Sequence, residues 1–475
     1  MGKTDRAELF RQRRNLIRSR AGDGVILWPG HSHQPRNYAG NAYPFRQNSH
    51  FLYYTGVSAP NLTMLSFPEP DRDILFAGTQ DIDDIVWTGP RPSIAESAAD
   101  AGIDIVESPD RLESRLADAA GRGMTVHYLP PYRHASLLHI ARLLRMRTAE
   151  VAKNASRVLM EEVALQRSAK SEHEIAEIED ALEVTARMKT ACMQAARPGI
   201  RERELAGLIQ GIALSAGRQQ AFSPIVTVHG EVLHNQSYDN VLTDGRLLLD
   251  DSGAESPMFY ASDITRTFPV NGAFTTMQAD IYNVVLDAQR GAIAMIRPGV
   301  SYGEVHRAAC GILAGGLRDI GLMRGDPSDA VEAGAHELFF PHGTGHLLGL
   351  DVHDLEDLGD ILGYRKQKPE GPFGIEYLRL NRPLEPGFVV TVEPGIYFIP
   401  ALIERWQGEG KHREFLNYDM MASYLDFGGI RIEDDVLVMS TGARILGPHI
   451  PKTIVEVESA CAERIPLSGH LPNGQ

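Results

Sequence analysis

The chain has 475 residues, of which 43% are hydrophobic and 23% charged, and its formal net charge is −15. This length exceeds what one hydrophobic core ordinarily serves, so two domains are expected. The negative charge disfavours nucleic acid and anionic membrane surfaces as partners, because both attract cationic proteins.

The cysteine content and the hydropathy pattern predict a cytoplasmic protein. Cys192, Cys310 and Cys461 lie far apart and match no metal-binding or redox spacing. An odd cysteine count in so long a chain suits a reducing compartment. No apolar run reaches the roughly 18 residues of a membrane span, and the Arg-rich N-terminal segment lacks the apolar core of a secretory signal.

The first 165 residues predict an α/β domain. A buried strand is expected at 24–29, and strands at 64–67 and 73–78 are expected to form a hairpin. Helices are predicted at 111–120, 139–147 and 148–166. The arginines near the start of the chain, at helical spacing, predict a solvated helix face.

The remaining residues, 166–475, mix strands and helices and carry every candidate site residue. Ser171 and Glu174 form the pattern of a capping box that opens a helix. Past it, apolar residues at near-helical spacing give one buried stripe. We place the domain boundary near residue 165.

Two aspartates in this second domain are predicted to lie side by side. A leucine-rich strand runs into Asp250 and Asp251, and Asp263 interrupts a β-prone run twelve positions after Asp251. That spacing suits two adjacent antiparallel strands. Two unpaired carboxylates in contact repel unless they share a proton or a cation. The alternatives are a turn in which Asp251 caps Gly253, and neutralisation of one carboxylate by Arg266.

A histidine cluster follows at His342, His346 and His353, among 17 histidines in the chain. Gly343 and Gly345 argue against a zincin-type helix, because helices tolerate glycine poorly. A loop that holds imidazoles toward a pocket is the better interpretation, and isolated core histidines are the alternative.

Two further carboxylates follow strand-like segments. Glu393 ends a Val/Thr strand before a Pro-Gly turn, and Glu433 shares one face of a strand with Arg431. An exposed polar face is the alternative for that pair. Four carboxylates and one imidazole form an oxygen-rich ligand set suited to manganese or cobalt, with enough anionic ligands for two cations. Two such cations support hydrolysis.

These residues resemble the pita-bread (M24) metallopeptidases, in the aminopeptidase P and prolidase branch. The resemblance rests on five motifs, Asp-x-Gly, Ser-Asp-Ile-Thr, His-Gly-x-Gly-His, Thr-Val-Glu-Pro-Gly and Arg-Ile-Glu-Asp. It implies an α/β (α+β) protein with an N-terminal aminopeptidase-P-like domain, 1–165, and a pita-bread catalytic domain, 166–475, whose curved antiparallel sheet is covered by helices. It implies two divalent ions, Mn²⁺ first and Co²⁺ or Zn²⁺ as alternatives, on the ligands Asp251, Asp263, His346, Glu393 and Glu433.

The resemblance also implies roles for accessory residues. Glu393 takes a proton from the attacking water, His234 closes over the substrate, and His342 lines the proline-side pocket. His353 holds the scissile carbonyl oxygen, Arg431 positions a carboxylate, and Arg379 meets the C-terminal side of the substrate. The motif at 43–56 resembles the N-terminal domain of the same branch. An aspartate usual before that motif is replaced by Gly40 or Asn41.

The implied function is an Xaa-Pro aminopeptidase that acts on proline-containing peptides as a homodimer or higher homo-oligomer. The close alternative is an Xaa-Pro dipeptidase, or prolidase, because the long segment between His353 and Pro386 resembles prolidases whereas the segment from Arg46 to Ser49 resembles aminopeptidase P. An alternative of another class is a catalytically inactive pita-bread binding protein. Hydrolysis of organophosphate esters, seen in some relatives, is a possible side activity that no residue selects.

Overall fold

The computed structural model describes residues 3–69, 72–361 and 378–467. The chain divides into two compact units, one of Met1–Arg167 with Asp357–Ile361 and the other of Ser168–Glu356 with Leu362–Gln475. None of the described helices is long and apolar enough to cross a membrane.

Unit 1 is an α/β unit built on one five-stranded sheet. Its elements in chain order are α1 (Lys3–Ala21), β1 (Val25–Pro29), α2 (Ser49–Thr55), β2 (Thr63–Ser66), β3 (Asp73–Phe76), α3 (Ile82–Thr88), α4 (Ile94–Asp100), β4 (Ile105–Glu107), α5 (Leu112–Gly121), β5 (Val126–His127), α6 (His134–Leu143), α7 (Thr148–Val151) and α8 (Arg157–Ser168). The strand order is β4-β3-β2-β1-β5. The predicted hairpin is confirmed, since β2 and β3 pair antiparallel; residues 70 and 71 of its turn lie outside the described part.

The predicted helix at 148–166 is wrong in one respect, because it is interrupted between α7 and α8. The backbone N–H of Ser156 donates to the carbonyl of Tyr128, 2.9 Å away, instead of to a carbonyl within the helix. The side chain of Asn154 accompanies the break by donating to the carbonyl of Glu150. The helix predicted at 139–147 lies earlier, at His134–Leu143, and Arg145 beyond it has a positive φ of 50°.

The prediction of a solvated arginine face on α1 is wrong. Arg14 is fully buried, and its Nε donates to Oδ2 of Asp73 at 2.7 Å. Its other nitrogens donate to the carbonyls of Tyr54 and Gly102. A buried guanidinium needs such partners for its charge and its donors, and the helix spacing alone does not reveal them.

Unit 2 contains the longer helices and three antiparallel ladders of short strands. Its elements are α9 (Glu172–Ala195), α10 (Glu202–Ser215), β6 (Ile225–Thr227), β7 (Leu247–Ser252), β8 (Ile264–Pro269), α11 (Thr276–Met295), α12 (Tyr302–Ile320), α13 (Pro327–Glu332), β9 (Val389–Val392), β10 (Gly395–Tyr397), α14 (Pro400–Glu409), α15 (Tyr418–Met421), β11 (Gly429–Arg431), β12 (Asp434–Val438), β13 (Ala443–Ile445) and α16 (Ile454–Ala462). The ladders are β6-β7-β8, β13-β12-β9 and β10-β11.

The predicted α/β class is confirmed, with antiparallel strands and covering helices in unit 2. The capping box that opens α9 is present, since the backbone N–H of Ser171 donates to the carboxylate of Glu174 at 2.9 Å. The helices pack on the strands through one apolar core, to which fully buried Met188, Leu248 and Phe268 belong. This core holds the strand ends, where the candidate site residues lie.

Candidate metal centre

Asp251 lies on β7 and Asp263 stands immediately before the neighbouring antiparallel strand β8, side by side as their spacing predicts. Asp251 pairs in register with Thr265, and Asp263 directly precedes β8. Gly253 allows this approach, because a Cβ there would lie 1.7 Å from the carbonyl oxygen of Ser262. The Asp-x-Gly motif is therefore a steric requirement of the hairpin.

The structure distinguishes the two consecutive aspartates at the end of β7. Asp250 is fully buried, and its Oδ1 accepts from the ammonium of Lys189 on α9 at 2.8 Å. Lys189 also donates to the hydroxyl of Ser252 at 2.7 Å. Since side chains alternate along a strand, Asp251 points the other way, toward Asp263. Asp250 is therefore paired with the ammonium of Lys189 and lies outside the set of metal ligands.

Glu393 and Glu433 extend from strand ends toward the same aspartates. The backbone N–H of Glu393 donates to the carbonyl of Thr344 at 2.8 Å, which ties the end of β9 to the histidine loop. Oε2 of Glu433 accepts from the hydroxyl of Thr265 at 2.7 Å. Glu433 is 1% exposed, so the alternative of an exposed polar face is wrong.

His346 directs one ring nitrogen at these carboxylates. Its Nδ1 lies 3.0 Å from the carbonyl oxygen of Leu347 and donates to it, which leaves the lone pair on Nε2. Nε2 is 3.5 Å from Oδ2 of Asp263 and 3.6 Å from Oε1 of Glu393. One ligand atom from each of Asp263, His346 and Glu433 lies within 4.8 Å of the other two.

The carboxylates carry more negative charge than the surrounding side chains neutralise. Burial and the charge of Asp251 raise the pKa of Asp263 well above its usual range, and burial with the charge of Asp263 does the same for Glu433. Burial raises the pKa of Glu393 to about 7. The ionised forms of these groups therefore call for a positive partner.

Arg431 is the one arginine that enters this cluster among the described residues, and it neutralises Asp251. Its Nη2 lies 2.6 Å from Oδ2 of Asp251, and its Nε donates to the hydroxyl of Thr265 at 3.0 Å. Arg266 does not reach the aspartates, because its guanidinium pairs with Asp434 at 2.7 Å. Neutralisation by Arg266 is therefore wrong.

The other two histidines of the cluster surround this centre. Nε2 of His342 lies 2.8 Å from the hydroxyl of Tyr397, and burial lowers the pKa of His342 to about 3. The ring of His353 meets the ring of His346 edge-on at 4.3 Å. The charge of His346 and burial lower the pKa of His353 to about 2.

His234 and Arg379 lie at the exposed side of the site. His234 is exposed in a turn after β6, and its charge acts to lower the pKa of both His342 and His353. Arg379 is half-exposed and pairs with Glu356, whose Oε2 is also 3.6 Å from Nδ1 of His353. Unit 2 thus joins nine of the ten predicted site residues through a chain of contacts, and His234 acts on two of them through its charge alone.

Two residues of the site were missed by the sequence interpretation. The Tyr397 hydroxyl joins His342 to Arg431, accepting from Nη1 of Arg431 at 3.0 Å. Asp435 is fully buried, and its Oδ2 accepts from the backbone N–H of Asp263 at 3.0 Å. The aspartate pair that follows Glu433 was a usable signal for Asp435, whereas Tyr397 gave none.

The donor set fits divalent cations. Oδ1 of Asp251 and Oδ1 of Asp263 are buried and accept no hydrogen bond in the described structure. Hard oxygen ligands with one imidazole suit Mn²⁺ and similar ions, and the nitrogen of His346 that faces them is the unprotonated one. Asp251, Asp263, His346, Glu393 and Glu433 are the residues that could hold such ions.

Family models match both units of the chain. Residues 176–440, more than half of the chain, match the model described as metallopeptidase family M24. Residues 9–127 match the model described as the aminopeptidase P N-terminal domain.

Individual relatives agree with the family models. A probable Xaa-Pro aminopeptidase of Botryotinia fuckeliana is 35% identical over 89% of this chain and 88% of its own length. The solved aminopeptidase PepP of Pseudomonas aeruginosa superposes with a TM-score of 0.78 at 28% identity, covering 97% of this chain and 98% of that one. A structure of Escherichia coli aminopeptidase P in complex with substrate has a TM-score of 0.77 at 29% identity, covering 96% and 98%.

Proposed function

The chain belongs to metallopeptidase family M24, in its aminopeptidase P branch, and from that premise we propose that it is an Xaa-Pro aminopeptidase. It is a metal-dependent hydrolase that removes the N-terminal residue from peptides with proline in second position. The match to the aminopeptidase P N-terminal domain supports this activity over that of a prolidase.

The observation that carries the proposal is the convergence of four carboxylates with one imidazole nitrogen in a buried cluster. We assign two divalent cations to the five ligands Asp251, Asp263, His346, Glu393 and Glu433. Arg431 supplies one positive charge against four carboxylates, so two further cations bring the cluster close to neutrality. Mn²⁺ is the first candidate, and Co²⁺ and Zn²⁺ are the alternatives.

When bound, the two cations supply Lewis acidity, polarising the peptide carbonyl and lowering the pKa of an attacking water. Glu393 accepts the proton of that water. Its position supports this role, since its side chain keeps 17% exposure at the edge of the cluster while the backbone fixes it to Thr344.

The surrounding histidines hold the substrate. His353, whose Nδ1 lies 3.6 Å from Oε2 of Glu356, holds the scissile carbonyl oxygen. His342, fixed by Tyr397, lines the pocket for the proline ring. His234 closes over the substrate from its exposed turn, and Arg431 orients Asp251 through the 2.6 Å contact.

Arg379 decides the length of substrate. Its guanidinium is half-exposed and held by Glu356, on the side of the site where His353 lies. We propose that it meets the C-terminal side of the peptide, as a backbone contact in an aminopeptidase and as the reader of a free carboxylate in a prolidase.

Two finer proposals concern the setting of the enzyme. A cytoplasmic location is supported by the three buried free cysteines, which suit a reducing compartment. A homodimer or higher homo-oligomer is proposed from the family resemblance.

The test compares Gly-Pro with Gly-Pro-Pro and longer Xaa-Pro peptides after the protein has been stripped of metal and reloaded with manganese. We expect cleavage of the longer peptides, which establishes an aminopeptidase with an open C-terminal side. Cleavage of the dipeptide alone makes the protein a prolidase. If neither kind of peptide is cleaved although metal is bound, the proposed peptidase activity is contradicted. The alternative of a catalytically inactive binding protein then remains.

A further inference from the structure

A second group of metal-ligating side chains lies buried in unit 2 and takes no part in the site described above. It consists of His306, Cys310 and His336, which are 4%, 1% and 2% exposed. One ligand atom from each lies within 4.8 Å of the other two. In the described structure this cluster shares no ligand with the carboxylate centre.

Two neighbouring elements bring the three side chains together. His306 and Cys310 stand four residues apart on α12, so they lie on the same helix face. His336 belongs to the short 3₁₀ turn Ala335–Leu338. Ligands one helical turn apart can reach the same ion, and a third from a separate element completes a set of thiolate and imidazole donors, which structural zinc sites use.

The geometry of the His306–Cys310 pair matches coordination. Nδ1 of His306 lies 2.9 Å from the hydroxyl of Thr344, so this nitrogen can donate to an oxygen as metal-bound histidines do. Nε2 then carries the lone pair, and it lies 3.5 Å from Sγ of Cys310. Bonds of about 2.3 Å to sulfur and 2.0–2.1 Å to nitrogen at a tetrahedral angle separate the two ligand atoms by roughly 3.5 Å.

His336 supplies an independent sign that a ligand is expected. Its Nδ1 is buried and has no hydrogen-bond partner among the described residues. Leaving a buried polar nitrogen without a partner is unfavourable, so an unfilled one points to a missing group. A plain hydrogen bond between His306 and Cys310 accounts for their distance but leaves His336 unexplained.

We propose that His306, Cys310 and His336 bind a divalent cation of the Zn²⁺ class, with the carboxylate of the adjacent Glu337 as a second negative charge near the site. Glu337 follows His336 in the chain and is 1% exposed. A thiolate and a carboxylate together carry two negative charges, so a divalent ion makes this buried site neutral. Because a thiolate is a soft ligand, this site should prefer Zn²⁺-like ions, whereas the carboxylate centre prefers ions such as Mn²⁺.

The protonation states agree with a ligand role and disagree with a nucleophilic thiol. Burial and the charge of Glu337 raise the pKa of the Cys310 thiol, whereas a reactive cysteine needs a lowered one. Burial lowers the pKa of His306 to about 3 and that of His336 to about 4, so both rings are neutral and free to coordinate. A bound cation would take the place of the thiol proton.

The cation would also steady the loop that carries His342 and His346. Thr344 lies in that loop and contacts His306 through its hydroxyl. The carbonyl of the same Thr344 accepts from the backbone N–H of Glu393 at 2.8 Å. The second site is therefore mechanically joined to the first through one residue, although its existence does not depend on the proposed peptidase function.

The experiment uses the full chain produced in cells supplied with Co²⁺, whose bonds to thiolates give a charge-transfer band in the near ultraviolet. We expect that band in the unaltered protein, together with one metal equivalent beyond those of the carboxylate centre. Cys310→Ser should lose the band and that equivalent. Cys461→Ser, which changes another buried free cysteine, is the matched control and should keep both.

Two outcomes overturn the proposal. One is the absence of a thiolate band in the unaltered protein, which needs no variant and so does not depend on whether a variant folds. The other is a band that persists in Cys310→Ser. Because oxygen and imidazole ligands give no thiolate band, neither outcome bears on the carboxylate centre or on peptide cleavage.

Discussion

Single residues in the carboxylate centre differ in how their charges are balanced. Asp251 has the guanidinium of Arg431, whereas burial and neighbouring carboxylates raise the pKa values of Asp263 and Glu433. Glu393 is the most exposed of the four carboxylate ligands, with 17% of its side chain accessible to solvent. Substitutions at these positions should therefore separate metal binding from proton transfer.

Glu393→Gln should lower kcat by at least about 10²-fold, because the amide cannot accept the proton of the attacking water. The matched control is Glu404→Gln on the exposed face of α14, which should keep its rate. Steady-state kinetics on an Xaa-Pro peptide checks both, with circular dichroism to show that the fold survives. Near-normal turnover would remove Glu393 from catalysis.

His346→Ala should lose bound metal as well as rate, since it removes the imidazole that faces Asp263 and Glu393. His234→Ala offers the comparison, because His234 is exposed and outside the ligand set. That variant should lose rate and keep metal. Elemental analysis of both purified variants is the measurement, and full metal occupancy in His346→Ala would argue against ligation.

At the scale of elements, the strand ends and the histidine loop are held by close backbone approaches. A Cβ on Gly345 would lie 2.1 Å from the carbonyl oxygen of Thr391 and 2.6 Å from the hydroxyl of Tyr302. The second glycine of the His-Gly-x-Gly-His motif, Gly345, therefore has a steric role beside the histidines. The loop can pack against β9 only if this position has no side chain.

Gly345→Ala should destabilise the protein by about 1–3 kcal/mol and weaken metal binding, because the loop must move away from β9. Gly408→Ala is the control, since Gly408 lies within α14 and a Cβ there meets nothing within 4 Å. That change should stabilise by roughly 0.5–1 kcal/mol. Chemical denaturation of both variants measures the difference, and equal stabilities would contradict the steric interpretation.

Local sequence patterns predicted the strands better than they predicted which side chains pair with one another. The hairpin of β7 and β8 followed from alternation and spacing, which act within about twenty residues. The choice of Arg431 for Asp251, and of Arg266 for Asp434, joins positions about 170–180 apart and depends on packing. The break before α8 has the same cause, since its reason is the carbonyl of Tyr128.

For the whole molecule, the buried charges should make stability depend on pH in a metal-dependent way. Burial raises the pKa of Glu393 to about 7, from an ordinary value of 4.5, and those of Asp263 and Glu433 rise in the same direction. A carboxyl with a raised folded-state pKa contributes stability below its unfolded pKa, and that contribution is lost as pH rises through the folded value. Buried histidines act oppositely, but only below about pH 6.5.

The metal-free protein should therefore become less stable between pH 7 and pH 8.5, where the histidines are neutral in both states. The free energy of unfolding should fall by up to about 1.4 kcal/mol per pH unit for each proton that the folded state retains and the unfolded state has lost. Thermal denaturation of the chelated protein measures it. Chelated Glu393→Gln, which lacks the carboxyl whose pKa burial raises to about 7, should show a shallower slope. A free energy of unfolding that rises across this pH range would contradict the raised pKa values of the buried carboxyls.

The contact between Lys189 and Asp250 has a consequence for how β7 finds its place. Two consecutive aspartates offer nearly the same side chain to either face of the strand, and a shift by one residue would exchange them. Among the described residues, the ammonium of Lys189 lies on the face of Asp250, 2.8 Å from its Oδ1. Lys189 on α9 therefore fixes the register of β7, because it pairs with the first aspartate and leaves the second for the metal centre.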